Sequence, residues 1–489
     1  MGHLPADFLE LETGFKCANI GFPSRHPRVR IPLPAPEITA GPSGPVLCES
    51  QNRSYDTKGG DMGNDIPMTD EECGRAMDAL SRRIDGYANL IVRVGAAIKP
   101  GQELVVQAPV EVADFARRVV RAAYAAGAGH VTVIWGDDAV TRMEYENVDL
   151  EWFRKTPSWK VEQLNSLARA GASFLFLEGS DPNALRGIDP AKPAAAHHAR
   201  NTECKDFRDG MDFGRNVWCI AGVPVAAWAQ QVFPGVSEKE ALYRLWVAIL
   251  QVARADNDDP TGAWETHNAA FEKNKRLLNE AHYDRLHYKS SNGTDFTVGL
   301  NPRGIWEGGA GRTVDGTVYF PNMPTEEVFT SPDRLRADGT VHSALPLVHN
   351  GQIVRDFWFR FEDGAVVDYG AREGLEVLEH ILATDENACR LGECALISKN
   401  TPIRESGLLF YDTLYDENAS CHLALGTGFA DCLEGGYDLG KDELIAAGVN
   451  QSATHVDFMI GADDLDITGI KPDGTEEQVF VGGQWFWED

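Results

Sequence analysis

The fold follows from residues 103–136, ELVVQAPVEVADFARRVVRAAYAAGAGHVTVIWG, in which two strand-like runs enclose a helix-like run. Residues 103–108 and 130–136 are short, apolar and rich in β-branched side chains, which is typical of buried strands. The segment between them carries apolar residues at helical spacing: Val112, Phe115, Ala116, Val119, Val120 and Ala123. Gly127 and Gly129 end this helix. A strand, a helix and a strand in this order favour two parallel strands connected by a covering helix.

The same alternation continues along the first half of the chain. Apolar runs at residues 173–177 and 216–221 predict further strands, and residues 161–170 and 239–253 predict helices. A first helix is expected near Asp70, with Thr69 as its N-cap and acidic residues in its first turn. We therefore predict a three-layer α/β domain with a mostly parallel sheet over residues 70–285. Its Gly127-Ala128-Gly129 turn closes a helix instead of following a strand, so it does not indicate a dinucleotide site.

The pattern changes beyond residue 286 to short alternating strands joined by turn dipeptides. Asp338-Gly339, Asn350-Gly351, Asp363-Gly364 and Asp473-Gly474 all have the composition of hairpin turns. In RDFWFRF (355–361) the phenylalanines alternate along one face of a strand, and residues 375–382 have a helical leucine face. We predict that residues 286–489 form a second, mainly antiparallel α+β domain.

Composition limits the classes of partner. Residues 1–69 are rich in Pro, Gly and Ser without periodicity, so we expect a poorly ordered extension. The chain has 45 Lys and Arg against 74 Asp and Glu, a formal charge of −29, which opposes nucleic-acid binding and favours cations as partners, unless the acidic surface serves solubility alone. No apolar run approaches the ~20 residues of a membrane helix. The nine cysteines lack CxxC spacing and no secretory signal is evident, so we expect a cytoplasmic protein.

The predicted second domain places polar side chains inside apolar runs, where an unpaired charge is costly to bury. In THVDFMIG (454–461), His455 and Asp457 are two residues apart in a β-prone segment, so both side chains project from one face of a sheet. This pair would bind one cation, or it is an ordinary hydrogen-bonded pair of neighbours.

Three other segments share this character. In LFYDTLYDENASCHLALG (409–426), a polar cluster from Asp416 to His422 is either a helix cap followed by a buried histidine or a source of ligands. In RLGECALIS, Glu393 interrupts a strand-like run, where a carboxylate needs a partner. In NMPTEEVFTSP, Glu326 and Glu327 are adjacent, so only one of them can face a given site on an extended segment.

Four blocks of sequence carry a family resemblance. PTEEVFTSP, LGECALIS, LFYDTLYDENASCHLALG and HVDFMIG resemble, in sequence and in order, the M29 metallo-aminopeptidases of the aminopeptidase T group, and the resemblance runs from about Tyr87 to Trp485. It implies a dinuclear exopeptidase that removes N-terminal residues from peptides with a free N-terminus. It also implies an α/β N-terminal domain, a metal-bearing C-terminal domain and a homodimer formed largely through the latter.

The resemblance also assigns a metal-ligand set. Carried over by position, the family's ligands fall on Glu327, Glu393, His422, His455 and Asp457, with Glu393 as the bridging carboxylate. Carboxylates and imidazoles suit Zn²⁺, Co²⁺ or Mn²⁺, and a shared carboxylate is suited to a pair of such ions. We expect Glu326, Glu327 and Glu393 to act in catalysis, and the general base remains open between Glu326 and Asp416.

Phe429 departs from the family's HxALGxxY pattern, which has tyrosine at that position. Phenylalanine neither ligates a metal nor donates a hydrogen bond, so Tyr437 or Thr427 would have to replace that contribution.

The sequence is compatible with two alternatives. The same fold family resembles iron(II) dioxygenases that open hydroxylated pyridine rings, for which His422, His455 and Asp457 would supply two histidines and one carboxylate. A non-catalytic metal-binding protein is the other. Glu327 and Glu393 argue against a single iron, because one ion needs no bridging carboxylate.

Overall fold

The computed structural model describes residues 67–488. The extension expected to be poorly ordered comprises residues 1–69, and its positions 1–66 lie outside the described residues. The described chain begins with α1, whose cap is formed as expected: the hydroxyl oxygen of Thr69 accepts from the backbone nitrogen of Glu72, and the carboxylate of Glu72 accepts from the backbone nitrogen of Thr69.

The helices lie mainly in the first half of the chain. Their bounds are α1 (Asp70–Leu90), α2 (Ala113–Ala126), α3 (Asp138–Asn147), α4 (Leu150–Phe153), α5 (Ser158–Arg169), α6 (Ala191–Glu203), α7 (Lys205–Asp212), α8 (Ala226–Val232), α9 (Glu238–Val252), α10 (Pro260–Ala281), α11 (Leu375–Leu382), α12 (Pro402–Glu405), α13 (Thr413–Glu417) and α14 (Lys441–Ala446). Among residues 67–488, no helix combines the length and the apolar content that a membrane crossing requires.

The strands lie mainly in the second half. Their bounds are β1 (Glu103–Pro109), β2 (His130–Gly136), β3 (Ser173–Glu178), β4 (Trp218–Gly222), β5 (Arg285–Lys289), β6 (Asp295–Leu300), β7 (Glu307–Gly308), β8 (Gly311–Arg312), β9 (Val318–Tyr319), β10 (Asn322–Met323), β11 (Val328–Thr330), β12 (Pro332–His342), β13 (Leu347–His349), β14 (Gln352–Glu362), β15 (Ala365–Glu373), β16 (Leu391–Leu396), β17 (His422–Gly426), β18 (His455–Met459), β19 (Asp466–Ile470), β20 (Glu476–Val481) and β21 (Gln484–Trp485).

The first sheet is parallel and covered by helices on both faces, as predicted. Its order is β10-β4-β3-β1-β2, and every pair in it is parallel. Leu104 of β1 belongs to the core that includes Phe115 of α2. The next residue, Val105, points to the other face and packs with Leu164 of α5 and Phe207 of α7. The prediction of a three-layer α/β arrangement is therefore confirmed.

One edge of this sheet comes from the second half of the chain. Residues Asn322 and Met323 of β10 pair with Ile220 and Ala221 of β4. The chain then runs directly into Glu326 and Glu327. The predicted division of the chain at residues 285 and 286 stays a prediction, and this strand links the sequence on either side of it.

Apart from β10, the strands of the second half pair antiparallel, as predicted. One sheet has the order β18-β17-β16-β11-β7, and a larger sheet contains β5, β6, β12–β15 and β19–β21. The phenylalanines of β14, at positions 357, 359 and 361, are at most 2% exposed and pack with Leu423 and Phe458 of the first of these sheets. Burial of each such side chain contributes about 1.5–3 kcal/mol to stability. This core fixes one face of the β16–β18 sheet and leaves the other face for chemistry.

Three of the four predicted hairpin turns are present, and one prediction was wrong. Asn350-Gly351, Asp363-Gly364 and Asp473-Gly474 connect successive strands. Asp338-Gly339 lies instead inside β12, where Gly339 pairs with Phe296 on one side and Phe361 on the other. A Cβ at Gly339 would lie 2.3 Å from the carbonyl oxygen of Asp295. The glycine therefore permits close approach of a neighbouring strand and not a turn.

Candidate metal centre

Register places the candidate ligands on one face of the β16–β18 sheet. Ala424 of β17 pairs with Glu393 on one side and with Asp457 on the other, and Gly426 pairs with His455. Side chains of paired residues project from the same face. Ala424 has only a methyl group and Gly426 has no side chain. They therefore leave space on this face of β17 for the carboxylates of Glu393 and Asp457 and the imidazole of His455.

The two remaining candidates reach the same face from β11 and β17. His422 is two residues before Ala424, and it pairs with Ala395. Ala395 also pairs with Phe329, so alternation places Glu327, two residues earlier, on this face as well. The structure thus brings the predicted ligands together from four segments of the chain between Glu327 and Asp457.

The ligand atoms form two groups that share Glu393. The first group is Glu327, Glu393 and His422, and the second is Glu393, His455 and Asp457. In the first group, Nε2 of His422 lies 3.3 Å from Oε2 of Glu327 and 3.9 Å from Oε1 of Glu393. In the second, Nε2 of His455 lies 3.1 Å from Oε2 of Glu393 and 3.1 Å from Oδ1 of Asp457. Each oxygen of Glu393 therefore faces a different group.

Both imidazoles are oriented by backbone carbonyls. Nδ1 of His422 donates to the carbonyl of Glu417 at 3.0 Å, and Nδ1 of His455 donates to that of Thr427 at 2.7 Å. A hydrogen on Nδ1 leaves the Nε2 lone pair free as a ligand, the arrangement usual for metal-bound histidine. The donor set and its orientation therefore fit divalent metal ions.

The electrostatics of the cluster favour positive charge. Burial, followed by the nearby carboxylates Glu327 and Asp457, raises the pKa of Glu393 to about 7. Burial alone would lower the pKa of His422, but its hydrogen bond to Glu327 and the surrounding carboxylates raise that pKa to about 9. Burial alone would raise the pKa of Asp457, but the neighbouring His455 lowers that pKa below its ordinary value. Carboxylates buried this close together need cations for compensation.

Glu326, predicted to act in catalysis, points away from this face. Its carboxylate accepts from two nitrogens of Arg254 at 2.6 and 3.1 Å, and Nε2 of His267 lies 3.5 Å away. His267 also contacts the carbonyl of Thr325 at 2.8 Å. Arg254 and His267 thus anchor the segment that ends at Glu327. A catalytic role for Glu326 stays a prediction.

Asp416, the other candidate base, has its oxygens engaged by the backbone. They accept from the amides of Phe410 at 2.8 Å and Asp412 at 3.2 Å, which closes the loop before α13. Its neighbour Glu417 belongs to the same polar cluster, and the sequence by itself indicates no role for it. Glu417 is 8% exposed, and burial together with Asp457, Glu327 and Glu393 raises its pKa well above the ordinary value. It adds a further carboxyl group beside the cluster.

Phe429 lies against the cluster at the position of the family's tyrosine. Its ring centroid is 5.0 Å from that of His455 and 5.5 Å from that of Phe329. The hydroxyl of Thr427 donates instead to the carbonyl of Ser452 at 2.5 Å, and that of Tyr437 lies 3.5 Å from Asp431. Both hydroxyls that the sequence offered as replacements are therefore engaged elsewhere.

Comparison with known proteins decides the family. The sequence model of the thermophilic metalloproteases (M29) matches residues 80–485. The chain belongs to this family. Aminopeptidase 2 of Geobacillus stearothermophilus is 41% identical over 412 residues, which are 84% of this chain and 100% of that protein. Aminopeptidase T of Thermus aquaticus is 40% identical over 409 residues, again 84% of this chain and 100% of that protein.

A solved structure is similar as well. Wild-type AmpT from Thermus thermophilus superposes with a TM-score of 0.76 at 40% identity, and the match covers 83% of this M29 chain and 100% of AmpT. The resemblance inferred from the four sequence blocks is confirmed, and so is the enzyme class, a metallo-aminopeptidase. The relatives that match over their full length are named aminopeptidases, which argues against both the ring-opening dioxygenase and a non-catalytic metal-binding protein.

Proposed function

We propose that this M29 chain is a dinuclear aminopeptidase. In this proposal Glu327, Glu393 and His422 hold one divalent ion, and Glu393, His455 and Asp457 hold the other. The observation that carries it is the position of Glu393, whose Oε1 faces His422 and whose Oε2 faces His455. A carboxylate with one oxygen in each of two ligand groups is suited to bridge two cations.

The ions would be Zn²⁺, Co²⁺ or Mn²⁺, since imidazole and carboxylate ligands suit these metals. When bound, two such ions polarise the scissile carbonyl, lower the pKa of a shared water and anchor the free α-amino group of the substrate. The protein's own contribution is orientation. The carbonyls of Glu417 and Thr427 fix the two histidine rings, and the row of Glu393, Ala424 and Asp457 holds the carboxylates in register.

The substrates are peptides with a free N-terminus. The carboxyl groups of Glu327, Glu393 and Asp457 form the cluster, with side chains 4–14% exposed, and negative charge so concentrated attracts cations and ammonium groups. A blocked N-terminus lacks both the charge and the lone pair that would bind a metal. Exopeptidase specificity follows from that requirement. The homodimer and the cytoplasmic location inferred from the sequence are part of the same proposal.

Two measurements on the purified full chain test this function. Metal analysis after loading with Co²⁺ or Zn²⁺ is expected to give two ions per chain. An unblocked peptide assayed beside its N-acetylated form is expected to be the only one cleaved. One ion per chain at saturation, or equal cleavage of both peptides, would count against the dinuclear aminopeptidase.

A further inference from the structure

A buried amide connects two segments that carry ligands of the same group. Asn418 is 0% exposed. Its Oδ1 accepts from the backbone nitrogen of Glu326 at 2.7 Å, and its Nδ2 donates to the carbonyl of Leu414 at 2.8 Å and to Oε1 of Glu417 at 3.3 Å. These contacts span 92 residues of sequence. We call Asn418 with these three hydrogen bonds the Asn418 clamp.

The clamp reaches a metal ligand on each side. On one side, the Glu326 amide belongs to the residue directly before Glu327. On the other, the carbonyl of Glu417 accepts from Nδ1 of His422 and so orients that ring. Glu327 and His422 are the members of the first ligand group that the second group does not share. The clamp therefore sets the spacing between the segments whose Oε2 and Nε2 atoms lie 3.3 Å apart.

A different network positions the second group. The ring of His455 is oriented by the carbonyl of Thr427, whose hydroxyl exchanges hydrogen bonds with the backbone of Ser452. The carboxylate of Asp385 in turn accepts from the hydroxyl of Ser452 at 2.9 Å and from the amide of Ala453 at 2.7 Å. Among the described residues, this network and the Asn418 clamp have no hydrogen bond in common.

We propose that Asn418 is a positioning residue that sets the metal affinity of the Glu327–Glu393–His422 group and leaves that of the Glu393–His455–Asp457 group unchanged. The inference rests on the dinuclear function proposed above. Its physical basis is that a ligand pair with correct spacing needs no rearrangement on binding. Loss of the outer hydrogen bonds around metal ligands typically lowers affinity by about 10- to 100-fold.

The test is a Co²⁺ titration of the full chain, followed by calorimetry and by visible absorbance. The unsubstituted protein is expected to bind two ions. Asn418→Ala is expected to lose about 10- to 100-fold in affinity at one site only. The matched control is Asn216→Ala: Asn216 is 4% exposed and donates to the carbonyls of Ala168 at 3.1 Å and Ala172 at 2.9 Å in the parallel-sheet region. This control is expected to lower the melting temperature and to leave both affinities unchanged.

Two further variants identify the group that is affected. In a Glu327→Gln background, where the first group has already lost a ligand, adding Asn418→Ala is expected to have no further effect on the remaining site. In an Asp457→Asn background, it is expected to weaken the remaining site. If Asn418→Ala does not fold, Asn418→Leu keeps the number and branching of the side-chain heavy atoms and again removes both hydrogen-bonding groups.

The outcomes separate this inference from the proposed function. If Asn418→Ala weakens both sites equally, or if Asn216→Ala produces the same loss at one site, the positioning role is wrong and the dinuclear centre stands. If the unsubstituted protein binds a single Co²⁺, the dinuclear function fails and the clamp proposal fails with it.

Discussion

Glu393 and Asp457 lie on opposite sides of Ala424 in one row of the sheet, each paired in register with that alanine. Ala424 is 0% exposed, and its methyl group is the smallest side chain that keeps the strand's L-residue geometry. Ala424, which is not a metal ligand, therefore sets the space between the two carboxylates.

Ala424→Leu is expected to abolish metal binding without removing a ligand, because the larger side chain would separate the carboxylates of Glu393 and Asp457. Overpacking at a buried site typically costs about 1–3 kcal/mol of folding stability. Metal content after dialysis against Co²⁺ measures the effect. Ala172→Leu, at a site 1% exposed beside the parallel sheet, is the control, with lower stability and normal metal content expected. Normal metal content in Ala424→Leu would show that this row does not shape the site.

Glu393→Gln is expected to abolish the hydrolysis of aminoacyl anilides. The neutral amide keeps the shape of the side chain, but it offers one oxygen where the carboxylate offers two, and it no longer compensates two cations. The metal content per chain and the initial rate of hydrolysis are expected to fall together. Near-normal turnover with two ions retained would contradict the bridging role.

Glu326→Gln distinguishes an anchoring role from a catalytic one. The Glu326–Arg254 pair is largely buried, with side chains 6% and 19% exposed, and breaking a buried pair typically costs about 3–5 kcal/mol. We expect a clear fall in the free energy of unfolding, with kcat reduced less than tenfold under conditions where the protein is folded. A fall in kcat of more than 100-fold at unchanged stability would instead support the catalytic role predicted from the sequence.

Periodicity predicted the parts of the fold whose cause is local. The run from residue 103 to 136 contains both strands and the covering helix, so the parallel sheet follows from it. The HxD spacing at His455 and Asp457 likewise determines a shared face, since alternation along a strand is a property of neighbouring residues. Periodicity does not predict which strands pair with each other. Strand β10, Asn322–Met323, is two residues long and has no period that a pattern could detect.

The contacts that position the site are long-range and were not visible in the sequence. Strand alternation alone does not distinguish Glu326 from Glu327 as the ligand in the PTEE pair. In the structure Arg254, which follows the end of α9, binds the carboxylate of Glu326 and turns it away from the site. Asn418 looked like part of a helix cap, yet its Oδ1 reaches an amide 92 residues earlier. The turn predicted at Asp338-Gly339 was wrong for the same reason. Glycine is required there because the neighbouring strand lies too close for a Cβ, and not because the chain turns.

Phe429 stands where the family has tyrosine. Phe429→Tyr is expected to raise kcat for peptides with a free amine, because its ring already lies against His455, 5.0 Å between centroids, and the hydroxyl would add a donor at the rim of the cluster. One well-oriented donor to a developing oxyanion is worth roughly 2.7–4 kcal/mol. If the pocket has adapted to phenylalanine, the gain would be nearer tenfold in rate, about 1.4 kcal/mol.

Phe329→Tyr is the matched control for this prediction. Phe329 lies on the same face, its ring 5.5 Å from that of Phe429, so it adds the same hydroxyl to the same aromatic pair while leaving the contact with His455 unchanged. A gain confined to Phe429→Tyr would locate the missing donor beside His455. Equal gains in both variants would indicate a general effect of polarity near the site. A lower turnover in Phe429→Tyr would mean that this enzyme stabilises the oxyanion without the family's hydroxyl, because the added group would then only disturb a pocket built around two phenylalanine rings.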